Sequence, residues 1–469
     1  MDASILSLYD RIRGWEERAR RAPVTPRLSR EALAERLRPY DFSAPRDLAE
    51  LVSNVADLLE QGIIQNNHPR YFGLFNAGTR RAGVVADALV ALYNPQNAAS
   101  WHSPAACGIE DHTLGYLARK IARASFDPTS STTAHRFATF TSGGSEANLT
   151  GVLSALAHAF PRYGEEGIAA VGAQPVFYGS DQAHDSFIKI ARMTGLGARA
   201  FCRVRSDDRQ RMDVDALRAA IARDRAEGKT PFLVAATVGT TATGAIDPLR
   251  DLAALCKSEG LWLHADAAWG GIALFSDSLR PHVAGLAETD SITWDAHKTL
   301  PVPMGAGMFF SRTSAPSDAL FSVRAGYVPE IEPGTPDLYQ RSVQWSRRFI
   351  GLKIFMTLAE LGDLGMAAIV EHQAQMGRYL REALGARGFR VMNDSPLPIA
   401  CFTREGGPEV RPADVARRVS DEGTAWLSDV RLPNGQHWLR ACITHHDTQR
   451  EDIDRLVSAV QSACSEVSG

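Results

Sequence analysis

Apolar residues at the start of the chain recur at helical spacing. In "MDASILSLYDRIRGWEERARRA", Ile5, Leu8, Ile12 and Trp15 fall three or four positions apart, as in an amphipathic helix with one face to bury. The stretch up to about residue 85 predicts more helix, broken by the turn signals "RAPVTPRLSR" and "DFSAPRD". From there to about residue 350 short β-branched or apolar runs alternate with amphipathic segments, the rhythm of a parallel α/β sheet. The clearest unit is "TPFLVAATVGTTATGAIDPLRDLAALCKSEGLWLHADAAWGG". It predicts a strand over 232–238, a Gly/Thr turn, a helix with Asp247 as N-cap and Pro248 at its first position, and a strand over 261–266. The crossover between such strands is expected to be right-handed. After "QWSRRFIGLKIFMTLAELG" a helical pattern runs to about Gly385. Short strands follow near "FRVMNDSPLPIACFT" and "HWLRACITHH", then a closing helix over 451–464. The expected organisation is a helical arm over 1–85, a large α/β domain over 86–350 and a small α+β domain over 351–469.

Composition narrows the function classes. A chain of 469 residues exceeds what one core usually accommodates. Its 51 basic and 54 acidic residues give a net charge of −3, so no basic field for nucleic acid is expected. Cys107, Cys202, Cys256, Cys401, Cys442 and Cys464 are scattered without a C-x-x-C pair. That argues against a disulfide framework or a zinc site and for reduced thiols in the cytoplasm. No apolar run reaches membrane-spanning length, and the first residues mix acids with bases and lack a signal-peptide core. The amphipathic first helix is expected to dock on something, a second subunit before a membrane surface.

Four segments carry chemistry. "FATFTSGGSEANLTGVLSALAHAF" is a strand, a glycine pair and a helix starting near Ser145, whose free N–H groups can hold a phosphate. Gly143 and Gly144 permit close backbone approach, and Ser142 and Ser145 add hydroxyls. By itself this is also what a plain α/β turn looks like. "WLHADAAWGG" puts His264 and Asp266 on one strand face, with Asp266 at the carboxyl end where open sheets bind ligands. A structural aspartate or a metal ligand are alternatives there, although no third or fourth ligand stands at recognisable spacing. Lys298 in "DSITWDAHK" follows Asp266 by 32 residues, about one strand–helix–strand unit, so acid and amine are expected on one sheet edge. A plain ion pair is the alternative. His184, after the apolar run "PVFYG", is placed to stack on a flat ring. Pyridoxal 5'-phosphate uses all of these features. Its phosphate needs a helix N-terminus, its ring nitrogen an acid, its aldehyde a lysine.

The chain resembles the group II pyridoxal-phosphate decarboxylases, which include the aromatic amino acid, glutamate and cysteine sulfinate enzymes. "HPRYFGLFNAG", "TSGGSEAN", "SDQAHDSF", "VGTTATGAID", "LHADAAWGG", "DSITWDAHK" and "QWSRRFIGLK" stand in family order over about residues 65 to 360. The resemblance implies the fold type I architecture, a homodimer with its active site between subunits, and an amino acid substrate. It implies phosphate contacts from Gly144, Ser145, Ser291 and His297, and Thr241 close to the ring. His184 would be the stacking residue, Asp266 the ring-nitrogen partner and Lys298 the Schiff-base lysine. It gives Arg440, in "WLRACI", to the substrate carboxylate. Asn76, Trp101 and His102 are candidates for the substrate pocket, and Phe72 and Phe75 suit either an aromatic substrate or the core. The family commonly has Asn where this chain has Asp295, so Asp295 is left out of the phosphate set.

The implied reaction is release of CO2 from an L-amino acid, with Cα then protonated by a loop tyrosine. Tyr327, in "FSVRAGYVPEIEPGTPDLYQRS", stands where that tyrosine is expected, with Tyr339 as the alternative. Gly and Pro in this segment fit a lid. In related aldehyde-forming enzymes a Phe commonly holds that position, so Tyr327 with His184 favours plain decarboxylation. An aldehyde-forming oxidase, an aminotransferase or a C–C lyase on the same site are the competing readings, and a non-catalytic scaffold is the remaining one.

Overall fold

The computed structural model describes residues 3–125, 137–172, 174–323, 326, 337–406 and 410–467. Its centre is a seven-stranded sheet of β1 (Phe137–Thr141), β2 (Pro175–Ser180), β3 (Phe201–Val204), β4 (Thr230–Thr237), β5 (Trp262–Asp266), β6 (Ser291–Asp295) and β7 (Gly307–Ser311), in the order β1-β7-β6-β5-β4-β2-β3. Strand β7 runs antiparallel to both neighbours, and the other adjacent pairs are parallel. β2, β5, β6 and β7 are buried at every residue, which explains why they read as continuous apolar runs: helices cover both faces. On one face the helix Gly144–Ala159 packs Val152, Ala155 and Leu156 against Phe177, Phe187 and Leu233. On the other, Leu117, Ile121, Leu252 and Leu255 close over Leu263 and Ile292.

The expected strand–helix–strand unit is present, with the helix over Leu249–Glu259. Its start differs from expectation. Pro248 is the N-cap residue and Asp247 caps nothing; its carboxylate accepts the backbone N–H groups of Thr237 and Met212, each at 2.7 Å. Buried there, Asp247 is pushed up to about 6 by desolvation. It ties the end of β4 to the loop before the helix Val214–Ala226.

A second, antiparallel sheet holds β8 (Phe389–Val391), β9 (Ile399–Arg404), β10 (Ser428–Arg431) and β11 (His437–Cys442), in the order β10-β11-β9-β8. The helices Pro412–Glu422 and Arg450–Val467 pack on it through Val415, Val419, Leu456 and Val460. The connecting helix Gly351–Gly385 breaks at Gly362, whose φ of 62° suits only glycine well. The small sheet grips the turn after β4. Asn393 Nδ2 and Ser395 Oγ donate to the carbonyls of Thr243 and Gly244, each at 2.7 Å.

At the start of the chain the helices Ala3–Ile12 and Leu48–Gly62 are joined by Arg11, which reaches Asp57 at 2.8 Å and Glu60 at 3.0 Å. Ile5, Leu8, Leu48 and Leu59 remain exposed. The single helix read across Ile5, Leu8, Ile12 and Trp15 ends at Ile12, and a second helix, Trp15–Arg21, starts after the left-handed Gly14; the face carrying Ile5 and Leu8 is not consumed within the described residues of this chain.

One buried ion pair fixes the chain just after residues 327–336. Arg347 Nη2 lies 3.3 Å from Glu110 Oε2, and both side chains are almost wholly buried. Arg347 also donates to Thr139 Oγ1 at 3.1 Å, and Glu110 accepts the N–H of Gly351 at 3.0 Å. Burial pushes Glu110 up to about 7. Removing one member of such a pair leaves a buried charge and costs about 3–5 kcal/mol. Arg347→Met is expected to lose about that much at pH 8. Because the fold raises Glu110 above its ordinary value, the folded state binds its proton more tightly, and lowering the pH to 5 supplies that proton. Denaturant titrations at the two pH values check this: the deficit against wild type is smaller at pH 5.

Candidate active site

Four chain segments converge at the carboxyl edge of the large sheet. Thr237, Asp266 and Thr293 stand side by side in adjacent parallel strands, so the ends of β4 and β5 are level and β6 runs two residues further, to Asp295. The helix Gly144–Ala159 begins immediately beyond β1, with no side-chain cap on its first turn. Its free N–H groups and dipole form an anion site. A cavity of about 300 Å³ opens here. It is lined by Gly143, Gly144, Ser145, Asn148, His184, Thr241, Asp266, Asp295, His297 and Lys298, with Phe75, Trp269 and Met304 adding apolar surface.

The sequence expectations fare differently. Gly144, Ser145, His184, Thr241, Asp266, His297 and Lys298 all line the cavity. Asp266, 6% exposed, accepts from Asn148 Nδ2 at 2.9 Å and from the N–H of Ala268 at 3.1 Å. Two donors, one on each oxygen, fix the orientation of the carboxylate. His184 Nδ1 accepts from the N–H of Ser186 at 3.2 Å, which leaves the proton of a neutral ring on Nε2. His297 Nδ1 lies 3.1 Å from both the N and the O of Ala306, and burial lowers this histidine below its ordinary value.

Ser291 is a correction. It opens β6, whereas the cavity lies at the other end of that strand; four residues of strand are roughly 13 Å. Its hydroxyl sits among Trp262 Nε1 and His264 Nδ1, each at 2.8 Å, and it does not line the cavity. Arg440 is also differently employed. It donates from Nε to Thr241 O at 2.9 Å and from Nη1 to Gly73 O at 3.0 Å, with its guanidinium 4.8 Å above the Phe75 ring. It shapes the wall behind Thr241 and Phe75 rather than standing in the cavity. Trp101 and His102 lie on the surface as an edge-to-face pair, and neither lines the cavity. Tyr339 is buried against Trp345, ring centres 4.6 Å apart, also away from the cavity. Tyr327 lies outside the described residues. Phe72 belongs to the small-sheet core, whereas Phe75 stacks on Trp269 at 4.3 Å in the cavity wall; Asn76 bonds Met304 Sδ.

Two residues at the site escaped the sequence reading of its contacts. Asn148 lies one helical turn after Gly144, on the face that meets β5; that spacing inside "TSGGSEAN" was the available signal. Asp295 lines the cavity and is 1% exposed. Its Oδ2 is 3.2 Å from Lys298 Nζ, and its buried Oδ1 has no hydrogen-bond partner among the described residues. A Cβ on Gly144 would stand 2.7 Å from Asp295 Oδ2, so the carboxylate presses on the helix start and only glycine fits.

These groups suit pyridoxal phosphate: an uncapped helix start for its phosphate, a buried carboxylate with a donor on each oxygen for its ring nitrogen, and a lysine amine on the same cavity. Among the described residues no group of three or more His, Cys, Asp or Glu is arranged for a metal.

Comparison with known proteins gives the same answer. Residues 33–405 match the model of the pyridoxal-dependent decarboxylase conserved domain. The acidic amino acid decarboxylase GADL1 of Bos taurus is 29% identical over 419 residues, 85% of this chain and 78% of that one. An aromatic-L-amino-acid decarboxylase of Bacillus atrophaeus is 28% identical over 461 residues, 95% and 92% of the two chains. The crystal structure of mouse CSAD superposes with a TM-score of 0.88 at 24% identity, covering 98% of each chain. The chain belongs to the pyridoxal-dependent decarboxylase family, as a carboxy-lyase that uses pyridoxal 5'-phosphate on an amino acid.

Proposed function

We propose that this protein converts an L-amino acid to its amine and CO2, as a cytoplasmic homodimer in which residues 1–85 engage the second subunit. The observation that carries the reading is the meeting of Lys298, Asp266, His184 and the uncapped start of the helix Gly144–Ala159 on one cavity. Bound there, pyridoxal phosphate supplies a carbonyl for an amine and a ring that accepts electrons as CO2 departs.

The chain's own residues have separate tasks. Gly144, Ser145 and His297 would hold the phosphate, Asp266 would pair with the ring nitrogen, and His184 and Thr241 would contact the ring. Lys298 supplies the amine that secures the cofactor between turnovers. Tyr327 delivers the proton to Cα after CO2 has left. The exposed pair Trp101 and His102, with the exposed apolar face of the arm, suits the surface where two subunits meet and a substrate pocket is completed.

Tyr327 decides between the amine and the aldehyde as product. Tyr327→Phe is expected to cut amine formation by about 100-fold, the usual scale for a proton donor. In air the products expected in its place are aldehyde, ammonia and hydrogen peroxide, with O2 taking up two electrons and water supplying the aldehyde oxygen. Product analysis of wild type and variant on a panel of amino acids tests this; unchanged amine output overturns the assignment to Tyr327.

Asp295 sets how tightly the phosphate is held. A carboxylate a few ångströms from a phosphate costs on the order of 3 kcal/mol at an effective dielectric near 20. Asp295→Asn keeps the shape and removes the charge. Its dissociation constant for pyridoxal phosphate is expected to fall by about 100-fold, while that for phosphate-free pyridoxal does not fall. Fluorescence titration of the apoenzyme with both compounds gives the comparison.

A further inference from the structure

A line of buried polar groups runs from the core to Asp266. Trp262 Nε1 donates to Ser291 Oγ at 2.8 Å, and Ser291 Oγ lies 2.8 Å from His264 Nδ1. His264 Nε2 lies 3.0 Å from Asn148 Oδ1, and Asn148 Nδ2 donates to Asp266 Oδ2 at 2.9 Å. All five residues are at most 6% exposed.

The two ends fix the sense of every bond between them. Tryptophan only donates, and an ionised carboxylate only accepts. Asn148 must turn its NH2 to Asp266, so its carbonyl faces His264 and accepts from Nε2–H. The Nδ1 of a neutral His264 is then an acceptor, and Ser291 gives it the hydroxyl proton. Ser291 in turn accepts from Trp262. Burial supports the neutral ring, lowering His264 to about 4. Side contacts agree with this arrangement: Thr293 Oγ1 is 3.3 Å from His264 Nε2, and the second amide proton of Asn148 points to Ser186 Oγ at 3.4 Å. The helix comes close enough for this only because residue 151 is glycine. A Cβ there would lie 2.6 Å from His264 Cε1.

We propose that Trp262, Ser291, His264 and Asn148 form a one-way chain of donors that holds the Asp266 carboxylate in one orientation, which makes Asn148 and His264 positioning residues for the cofactor's ring nitrogen. The inference rests on the reading of Asp266 given above. It gives work to three polar residues that touch neither phosphate nor amine. It also predicts which substitutions are tolerated. Glutamine at 264 donates from its amide nitrogen and accepts at its oxygen, so it preserves the direction of the chain; leucine does neither.

The test compares two ligands on the full-length apoenzyme: pyridoxal phosphate, and its analogue with C–H in place of the ring nitrogen. Their dissociation constants are measured by fluorescence and absorbance for wild type, Asn148→Ala, His264→Leu and His264→Gln. Wild type is expected to prefer the nitrogen ring by more than tenfold. Asn148→Ala and His264→Leu are expected to reduce that preference about tenfold, equivalent to about 1.4 kcal/mol, and His264→Gln to keep it. A variant that only loosens the fold weakens both ligands alike. An undiminished preference in Asn148→Ala and His264→Leu therefore overturns the chain while leaving Asp266 in its role. Absence of any preference in wild type overturns the role of Asp266 and the chain with it.

Discussion

A carboxylate buried at the end of a central strand is the constraint around which this fold is arranged. Asp266 has apolar sheet behind it and the ligand cavity in front, and an ionised group in that position is tolerated only with donors aimed at it. The donors come from two directions. The turn after β5 supplies the N–H of Ala268, and the helix Gly144–Ala159 supplies Asn148. Delivering Asn148 demands that the helix lie almost on the strand, which explains glycine at 151 and small residues at 147 and 155 on its buried face. The same close approach leaves the helix start open above the cavity. One demand, satisfying Asp266, thereby also produces the anion site.

Lys298 poses the opposite problem, an amine on the short helical turn Ala296–Thr299 that follows a wholly buried strand. Its counter-ion is Asp295, three residues earlier and at the strand's last position. The pairing explains how the amine is accommodated when it is not bonded to a ligand. It also brings a negative charge beside the phosphate cradle, where Gly144 has no side chain to keep it away. The site thus contains two carboxylates with different support. Asp266 has donors on both oxygens, whereas Asp295 shares one oxygen with Lys298 and has a buried second oxygen without a partner among the described residues.

What the sequence disclosed follows from the range over which each signal acts. Lys298, Asp266 and the Gly143–Gly144 turn were legible because strand alternation and strand–helix–strand spacing place residues on a sheet edge without knowledge of side-chain packing. Ser291 was misplaced because resemblance transfers a role along the chain but not along the strand; the other end of β6 faces the site. Asp247 looked like an N-cap because Asp-Pro before a helix is a local signal. The structure spends it on two backbone N–H groups, one of them 35 residues away in sequence. Arg440 shows the same limit: its partners Gly73 and Thr241 are remote in the chain, so no local pattern announces them.

The cavity is also chemically uneven. Its cofactor side is crowded with hydrogen-bonding groups fixed by strand ends and a helix start. Its apolar lining comes from Phe75, Trp269 and Met304, and Met304 is itself 58% exposed. Phe75 is held between Trp269 and the Arg440 guanidinium, so this lining is tied to the small sheet through β11. The turn carrying Thr241 is bound to the same sheet by Asn393, Ser395 and Arg440. The turn carrying Thr241 and the Phe75 side of the cavity thus take their support from the small sheet, while Asp266, Asn148 and Lys298 take theirs from the large sheet and its covering helix.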